Sequence, residues 1–229
     1  MKLTKKNTCS LCTDPCEIQS ALLKTGRSID EAKIFHAHFR KHDVICKQGK
    51  EVSHALFLVK GSAKLYVEGL NNRNIILYLL KPPAYIGLLS FFETPIYAYS
   101  VTALEDSEVC FIELDIVKKL YIESHDLLLC LNKAFGKSVA NIMNKIISLN
   151  QKQIRGRIAE NLIYLSDLNQ SHKFYLNLTR KEFGEMAAIS EENTVRLLSE
   201  LARENIIGIK GREIEVLDMP LLKKISDVG

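Results

Sequence analysis

The sequence predicts an α+β chain with a β-rich first half and a helical second half, and three observations carry that expectation. Between Val44 and Leu114, short runs of β-branched and aromatic residues are punctuated by glycine. Asp126 to Gln153 has no proline and one glycine, and its apolar residues recur every seven positions. From Thr179 onward, two short amphipathic segments are followed by two β-branched runs around a basic turn. The expected order is an N-terminal β-roll, a long dimerisation helix and a C-terminal winged helix-turn-helix. Its divisions fall at 1–25, a cysteine-bearing segment; 26–125, the β-roll; 126–153, the long helix; and 154–229, the winged domain.

Composition agrees with an ordinary globular chain: 229 residues, 47% hydrophobic and 25% charged, with a net charge of +4 that permits nucleic acid without demanding it. The terminus Met1-Lys2-Leu3-Thr4-Lys5-Lys6 leads into polar sequence, so no secretory signal is expected. The most apolar region, Ile75 to Phe92, is broken by Lys81-Pro82-Pro83, so no membrane partner is expected either. A cytoplasmic location follows, where thiols stay reduced. The six cysteines then point to metal or redox chemistry rather than disulfides.

The elements can be justified in order. Ser28 to Arg40 is expected as a helix, with Ser28 as cap, Asp30 and Glu31 in the first turn, and Ile29, Ala32, Phe35 and Phe39 on one face. His36, His38 and His42 then fall on a solvated surface beside Arg40 and Lys41. Strands are expected at Ala55 to Val59, Ala63 to Val67, Ile75 to Leu79, Ser100 to Ala103 and Glu108 to Ile112, with turns at Gly61, Gly69 to Arg73 and Glu105-Asp106. Cys46, after Val44-Ile45, and Cys130, among Leu127 to Leu131, read as small core residues. In the long helix, Leu128, Phe135, Ile142 and Leu149 form one row and Val139 and Ile146 a parallel one, the seam of a two-stranded homodimer.

The segment Thr179 to Leu201 bears the chemistry. Thr179 and Glu182 form a capping box that opens a helix with Phe183, Met186 and Ala187 on its apolar face. Ala187 and Ala188 are small enough for close approach of a second helix, and Ile189 fills the corner. Ser190 caps that second helix, with Glu191 and Glu192 near its positive end and Val195, Leu198 and Leu201 as its apolar row. Ile206 to Ile209 turns at Lys210-Gly211-Arg212 into Ile214 to Leu217, a wing with cations suited to phosphates. Glu192 and Arg196 stand four apart on the exposed face and are expected to hold each other in place. The glutamate can accept from cytosine N4, and the arginine can grip guanine O6 and N7. The partner is double-stranded DNA, read at a palindromic site by a dimer.

These segments resemble the Crp/Fnr superfamily of bacterial regulators. The resemblance runs from Leu56-Phe57-Leu58-Val59-Lys60-Gly61-Ser62, through Gly156-Arg157-Ile158-Ala159 and Leu178-Thr179-Arg180 with Glu182 and Gly184, to Glu192 and Arg196. It implies a cyclic-nucleotide-binding-like jelly roll as the sensor and RNA polymerase as a partner. It also implies that Glu192 and Arg196 read a GA step in each half-site, with Thr179, Arg180, Ser190, Val195, Lys210 and Arg212 in the interface. Val195 stands where Fnr-type readers carry serine, and Glu191 where the cyclic-AMP type carries arginine, which leaves the rest of the half-site open.

The sensor departs from the cyclic-AMP-binding branch. Those members carry a glutamate after the glycine matching Gly87 and an arginine–serine pair further on. Here the residues are Leu88-Leu89-Ser90 and Ile96-Tyr97-Ala98-Tyr99-Ser100, so cyclic AMP is not expected as a ligand. Cys9, Cys12 and Cys16 instead have thiolate spacing suited to a metal centre, either an iron–sulfur cluster or zinc. The resemblance to Fnr-type oxygen sensors makes Cys110, in Ser107-Glu108-Val109-Cys110-Phe111, the fourth ligand of a [4Fe-4S] cluster. The second gap is three residues rather than the family's five. A thiol switch on the same residues, or a roll that binds haem or a small organic effector, are the alternatives. No Ser-His-Asp ordering, phosphate-cradling glycine loop or paired-carboxylate cleft is visible, so an enzyme is not expected.

Overall fold

The computed structural model describes residues 2–4, 16–28, 34–91 and 96–228. The elements are β1 (Lys2–Thr4), α1 (Glu17–Lys24), β2 (Phe35–Phe39), β3 (Val44–Cys46), β4 (His54–Lys60), β5 (Ala63–Val67), β6 (Ile75–Leu80), β7 (Ala84–Ile86), β8 (Ser100–Ala103) and β9 (Ser107–Glu113). There follow α2 (Leu114–Glu123), α3 (His125–Gln151), α4 (Ile154–Asn169), β10 (Lys173–Tyr175), α5 (Arg180–Ala187), α6 (Glu191–Arg203), β11 (Ile207–Lys210), β12 (Glu213–Val216) and α7 (Met219–Val228). They form two compact units, Met1–Glu68 with Tyr78–Asn141 and Gly69–Leu77 with Ile142–Gly229, so the long helix α3 changes unit between its Asn141 and Ile142. Among the described residues, no helix is long and apolar enough to cross a membrane.

The roll consists of two antiparallel sheets, ordered β1-β2-β9-β4-β7 and β3-β8-β5-β6. The expected helix over Ser28 to Arg40 is overturned across Phe35–Phe39, which is a strand paired with β9 in the register Phe35↔Phe111 to Phe39↔Ser107; residues 29–33 lie outside the described residues. The apolar set Phe35, Ala37, Phe39 has period two, and β9 supplies both a backbone partner and Phe111, whose ring stacks on Phe35 at 4.8 Å. His36 is consequently not on a solvated surface. It is 5% exposed, with Nδ1 at 2.6 Å from Glu108 Oε1. Ala37, Leu56, Leu58 and Val109, on the same side as Phe111 by register, are almost fully buried. The opposite side carries His36, Cys110 and Phe57 in a cross-strand row.

The part of the roll around Gly87 is filled with tyrosine. Gly87 has φ +93°, and a Cβ on it would lie 3.1 Å from the rings of both Phe91 and Tyr97. Its N–H donates to the Tyr99 hydroxyl at 3.0 Å, and Tyr78, Tyr97 and Cys46 lie close around Tyr99. Burial pushes the Tyr99 and Tyr97 hydroxyls above the usual phenol range and the Cys46 thiol up to about 12, so this pocket holds neutral groups. Tyr78 lies close to Ser138 on α3.

Four short elements carry no strong sequence signal. Helix α1 buries Ile18, Ala21 and Leu22, and α2 buries Leu114, Val117 and Leu120. The others are the three-residue strand β7 and the terminal helix α7, which packs on α4.

Candidate nucleic-acid interface

Helix α5 begins as its residues dictate. The Thr179 hydroxyl accepts from the Glu182 N–H at 3.1 Å, and the Glu182 carboxylate accepts from the Thr179 N–H at 2.7 Å. Phe183, Gly184, Met186 and Ala187 are buried. Close helix approach is made at Gly184 and not at Ala188, which is exposed in the left-handed region at φ 52° and ends the helix. A Cβ on Gly184 would stand 2.5 Å from Thr194 Oγ1 and 2.9 Å from the Ile189 carbonyl, so any side chain there would force α5 and α6 apart.

Helix α6 is capped by Ser190, whose hydroxyl accepts from the Asn193 N–H at 3.2 Å. Its buried row is Thr194, Leu197, Leu198 and Leu201. Val195 is excluded from that row and is 47% exposed, on the same outward surface as Glu191, Glu192 and Arg196. The expected mutual hold between Glu192 and Arg196 is not what forms. Arg196 Nη1 donates to Glu200 Oε1 at 2.7 Å and Nη2 to Asn193 Oδ1 at 3.3 Å. Glu192, in the first turn, sits by the amide end of the helix, where a carboxylate is favoured without a cation. Asn193 and Glu200 are thus the residues missed, although the three- and four-residue spacings that suggested Glu192 also apply to them.

The wing is completed by β10, in the sheet order β10-β12-β11. Lys210 and Arg212 are exposed at its tip, on either side of Gly211 at φ +63°. Arg180, expected at the interface, has Nη2 donating to the Gly211 carbonyl at 3.0 Å, which ties the start of α5 to the wing turn. Burial and the neighbouring Arg212 lower its pKa. Arg155 grips Glu204 with both terminal nitrogens, at 3.0 and 2.5 Å, joining α4 to the end of α6. The last turns of α3 are held to the reader by Lys145, whose ammonium donates to the Met186 carbonyl at 2.9 Å and to Asn161 at 3.4 Å. Burial pulls this lysine down to about 8, Glu160 raising it and Arg157 lowering it further.

Along α3, Phe135, Val139 and Ile146 are exposed and Leu128, Ile142 and Leu149 half-buried, an apolar stripe on the outside of one chain. Cys9 and Cys12 lie outside the described residues. Cys16 precedes α1, and Cys110 is buried in β9 between His36 and Phe57 by register. Among the described residues, no group of three or more His, Cys, Asp or Glu is arranged to hold a metal ion. Cys130 is not a plain core residue. It is half-buried and lies beside Glu17 and Tyr85, with its thiol raised by burial and by Glu17.

Comparison with known proteins agrees with this architecture. The chain matches the cyclic nucleotide-binding domain family over residues 36–124 and the Crp-like helix-turn-helix domain family over residues 156–225, together well over half its length. It is 27% identical over 170 residues to the transcriptional regulatory protein btr of Bordetella pertussis, covering 72% of this chain and 70% of that protein. It is 24% identical over 192 residues to the cAMP-activated global transcriptional regulator CRP of Salmonella typhimurium, covering 79% and 90%. The fold is shared with FixK2 from Bradyrhizobium japonicum, with a TM-score of 0.76 at 18% identity, covering 86% of this chain and 98% of that one. The protein is a DNA-binding transcription regulator, and the chain belongs to the Crp/Fnr family.

Proposed function

We propose that the protein acts as a homodimer on a palindromic DNA site and answers to oxygen or redox state through its cysteines. The exposed outer surface of α6 carries the first half of this reading: Glu192, Val195 and Arg196 are exposed together there, and the wing tip exposes Lys210 and Arg212. Arg196 grips guanine O6 and N7, Glu192 accepts from cytosine N4, and the wing cations take phosphates. Ser190 and Thr179, whose side chains cap helices, and Arg180, bound to the wing turn, orient the surface. The apolar stripe on α3 supports a second copy of the chain as its cover. RNA polymerase in the cytoplasm is the expected protein partner.

For the signal, this reading assigns a [4Fe-4S] cluster to Cys9, Cys12, Cys16 and Cys110, since thiolates at such spacing select a metal centre of this kind. Thr4, before Cys9, pairs with His36, and His36 pairs with Cys110. On the other side Phe57 pairs with both Cys110 and Tyr85, and the Tyr85 hydroxyl reaches Glu17, adjacent to Cys16, at 3.3 Å. The described ends of the cysteine-bearing segment therefore flank Cys110. About four strand spacings of ~4.8 Å separate the outer strands, within reach of eleven residues at ~3.3 Å each. Such a cluster supplies oxygen-sensitive redox chemistry. Helix α1 links Cys16 to the dimer helix through Glu17 beside Cys130 and through Lys24–Asp126 at 2.5 Å, and Arg27, just past α1, pairs with Glu123 at the end of α2 at 2.6 Å. The state of the N-terminal cysteines thereby biases α3, provided the two states of the dimer differ in their affinity for the bound group.

Anaerobic reconstitution with iron and sulfide should give broad visible absorption in the wild type and lose it, with oxygen-dependent DNA binding, in Cys110→Ser. Reconstituted wild type without that absorption would end the cluster reading. If the roll instead binds an organic effector, Cys110→Ser should leave regulation unchanged. Tyr99 holding the Gly87 amide, with Leu88 buried next to it, supports exclusion of cyclic AMP. Calorimetry with cyclic AMP should show no saturable heat, and micromolar binding would refute this.

A further inference from the structure

The recognition helix is not a cationic surface. Across Glu191 to Glu200 it carries Glu191, Glu192 and Glu200 against Arg196, so phosphate attraction does not hold it to a duplex. The arginine itself is engaged in the unbound protein. Glu200 Oε1 takes one N–H of Nη1 at 2.7 Å and Asn193 Oδ1 one of Nη2 at 3.3 Å, with side-chain exposures of 52% for Arg196 and 24% for Glu200. These partners stand three residues before and four after Arg196, on one helical face, so they bracket the guanidinium along the helix axis. A guanidinium has five N–H donors in a planar fork, and two such contacts leave enough for the two acceptors of guanine.

We propose that Glu200 is a specificity-determining residue: with Asn193 it holds the Arg196 guanidinium across the recognition surface and withholds its charge from phosphates. A duplex with guanine in register offers O6 and N7 to the remaining donors and keeps the Glu200 contact. A duplex without it gains nothing from Arg196 and meets an extra carboxylate close to its backbone, at short range where salt screens little. Glu200 acts through Arg196 and through the local potential, as a positioning residue, and touches no base. The inference rests on Arg196 being the guanine reader.

The test uses the full-length dimer and fluorescence anisotropy on three duplexes. The first is a palindrome selected by the wild-type protein from a randomised pool. The second is the same duplex with 7-deazaguanine at the GA step, which removes the N7 acceptor, and the third is a scrambled sequence. Glu200→Gln should tighten binding to the scrambled duplex by roughly threefold to tenfold, steepen its salt dependence and lower the selected-to-scrambled ratio to match. Asn193→Ala, which changes no charge, should shrink the guanine-to-deazaguanine ratio by about threefold and leave scrambled binding unchanged. If both ratios stay within twofold of wild type while Arg196→Ala collapses them, Glu200 and Asn193 are only surface partners and the proposal falls. If Arg196→Ala itself leaves them untouched, the guanine-reading assignment fails first, and the proposal with it.

Discussion

Arg196→Ala should lower affinity for the selected palindrome by between roughly 30-fold and 20,000-fold, while binding to scrambled DNA weakens by no more than about tenfold. A bidentate arginine–guanine contact contributes about 1–3 kcal/mol of discrimination, and a dimer makes it twice. Scrambled binding falls far less because the wing cations Lys210 and Arg212 remain, and its change comes only from uncovering the Glu200 carboxylate that Arg196 neutralises in the unbound chain. Glu192→Ala should fall in the same range but relax selection at the neighbouring base pair, where the carboxylate accepts from cytosine. Competition anisotropy against a panel of single-position variants separates the two. Selection that survives both substitutions would exclude α6 as the reader.

The double substitution Val139→Glu with Ile146→Glu should convert the protein to a monomer at micromolar concentration in sedimentation velocity, with binding to the palindrome lost. Val139 and Ile146 are 37% and 50% exposed in the single chain, so the change leaves the chain's own fold intact. In a two-stranded seam the same carboxylates face their copies in apolar surroundings, at about 3 kcal/mol or more per unpaired buried charge. A monomer spans one half-site and forfeits half of the base contacts. A variant that still sediments as a dimer would show that this stripe is not the interface.

How much of this was legible depended on the range of the physical signal. The capping box at Thr179 and Glu182, the serine cap of α6 and the long helical run of α3 are local patterns, and each forms where its residues indicate, whereas β5 forms as a strand whose residues Ala63 to Tyr66 are all buried rather than alternating. Phe35 to Phe39 satisfied two patterns at once. Ile29, Ala32, Phe35 and Phe39 share a helical face, yet Phe35, Ala37 and Phe39 alternate. Strand β9, more than sixty residues away in the chain, decides for the second by offering Phe111 and a ladder of backbone bonds. The same pairing buries His36 against Glu108, which no window around His36 could indicate.

Within the site, spacing identified which side chains face outward but not which partners they choose. Arg196 had acceptors at Asn193, Glu192 and Glu200 within its reach on the helix, and rotamer geometry in the folded reader selects the first and last. Likewise Gly184, not Ala188, admits α6, because Thr194 and the Ile189 carbonyl come within 2.5 and 2.9 Å of where a Cβ on Gly184 would stand, while Ala188 is exposed. The sequence by itself determined the strands from Ala55 to Val67, the long helix α3, the starts of α5 and α6 and the residue types offered to DNA, since these follow from hydrogen-bond capping and hydrophobic period over a few residues. Tertiary structure alone decided the identity of β2 and the burial of His36, because each depends on a strand brought alongside by packing from more than sixty residues away.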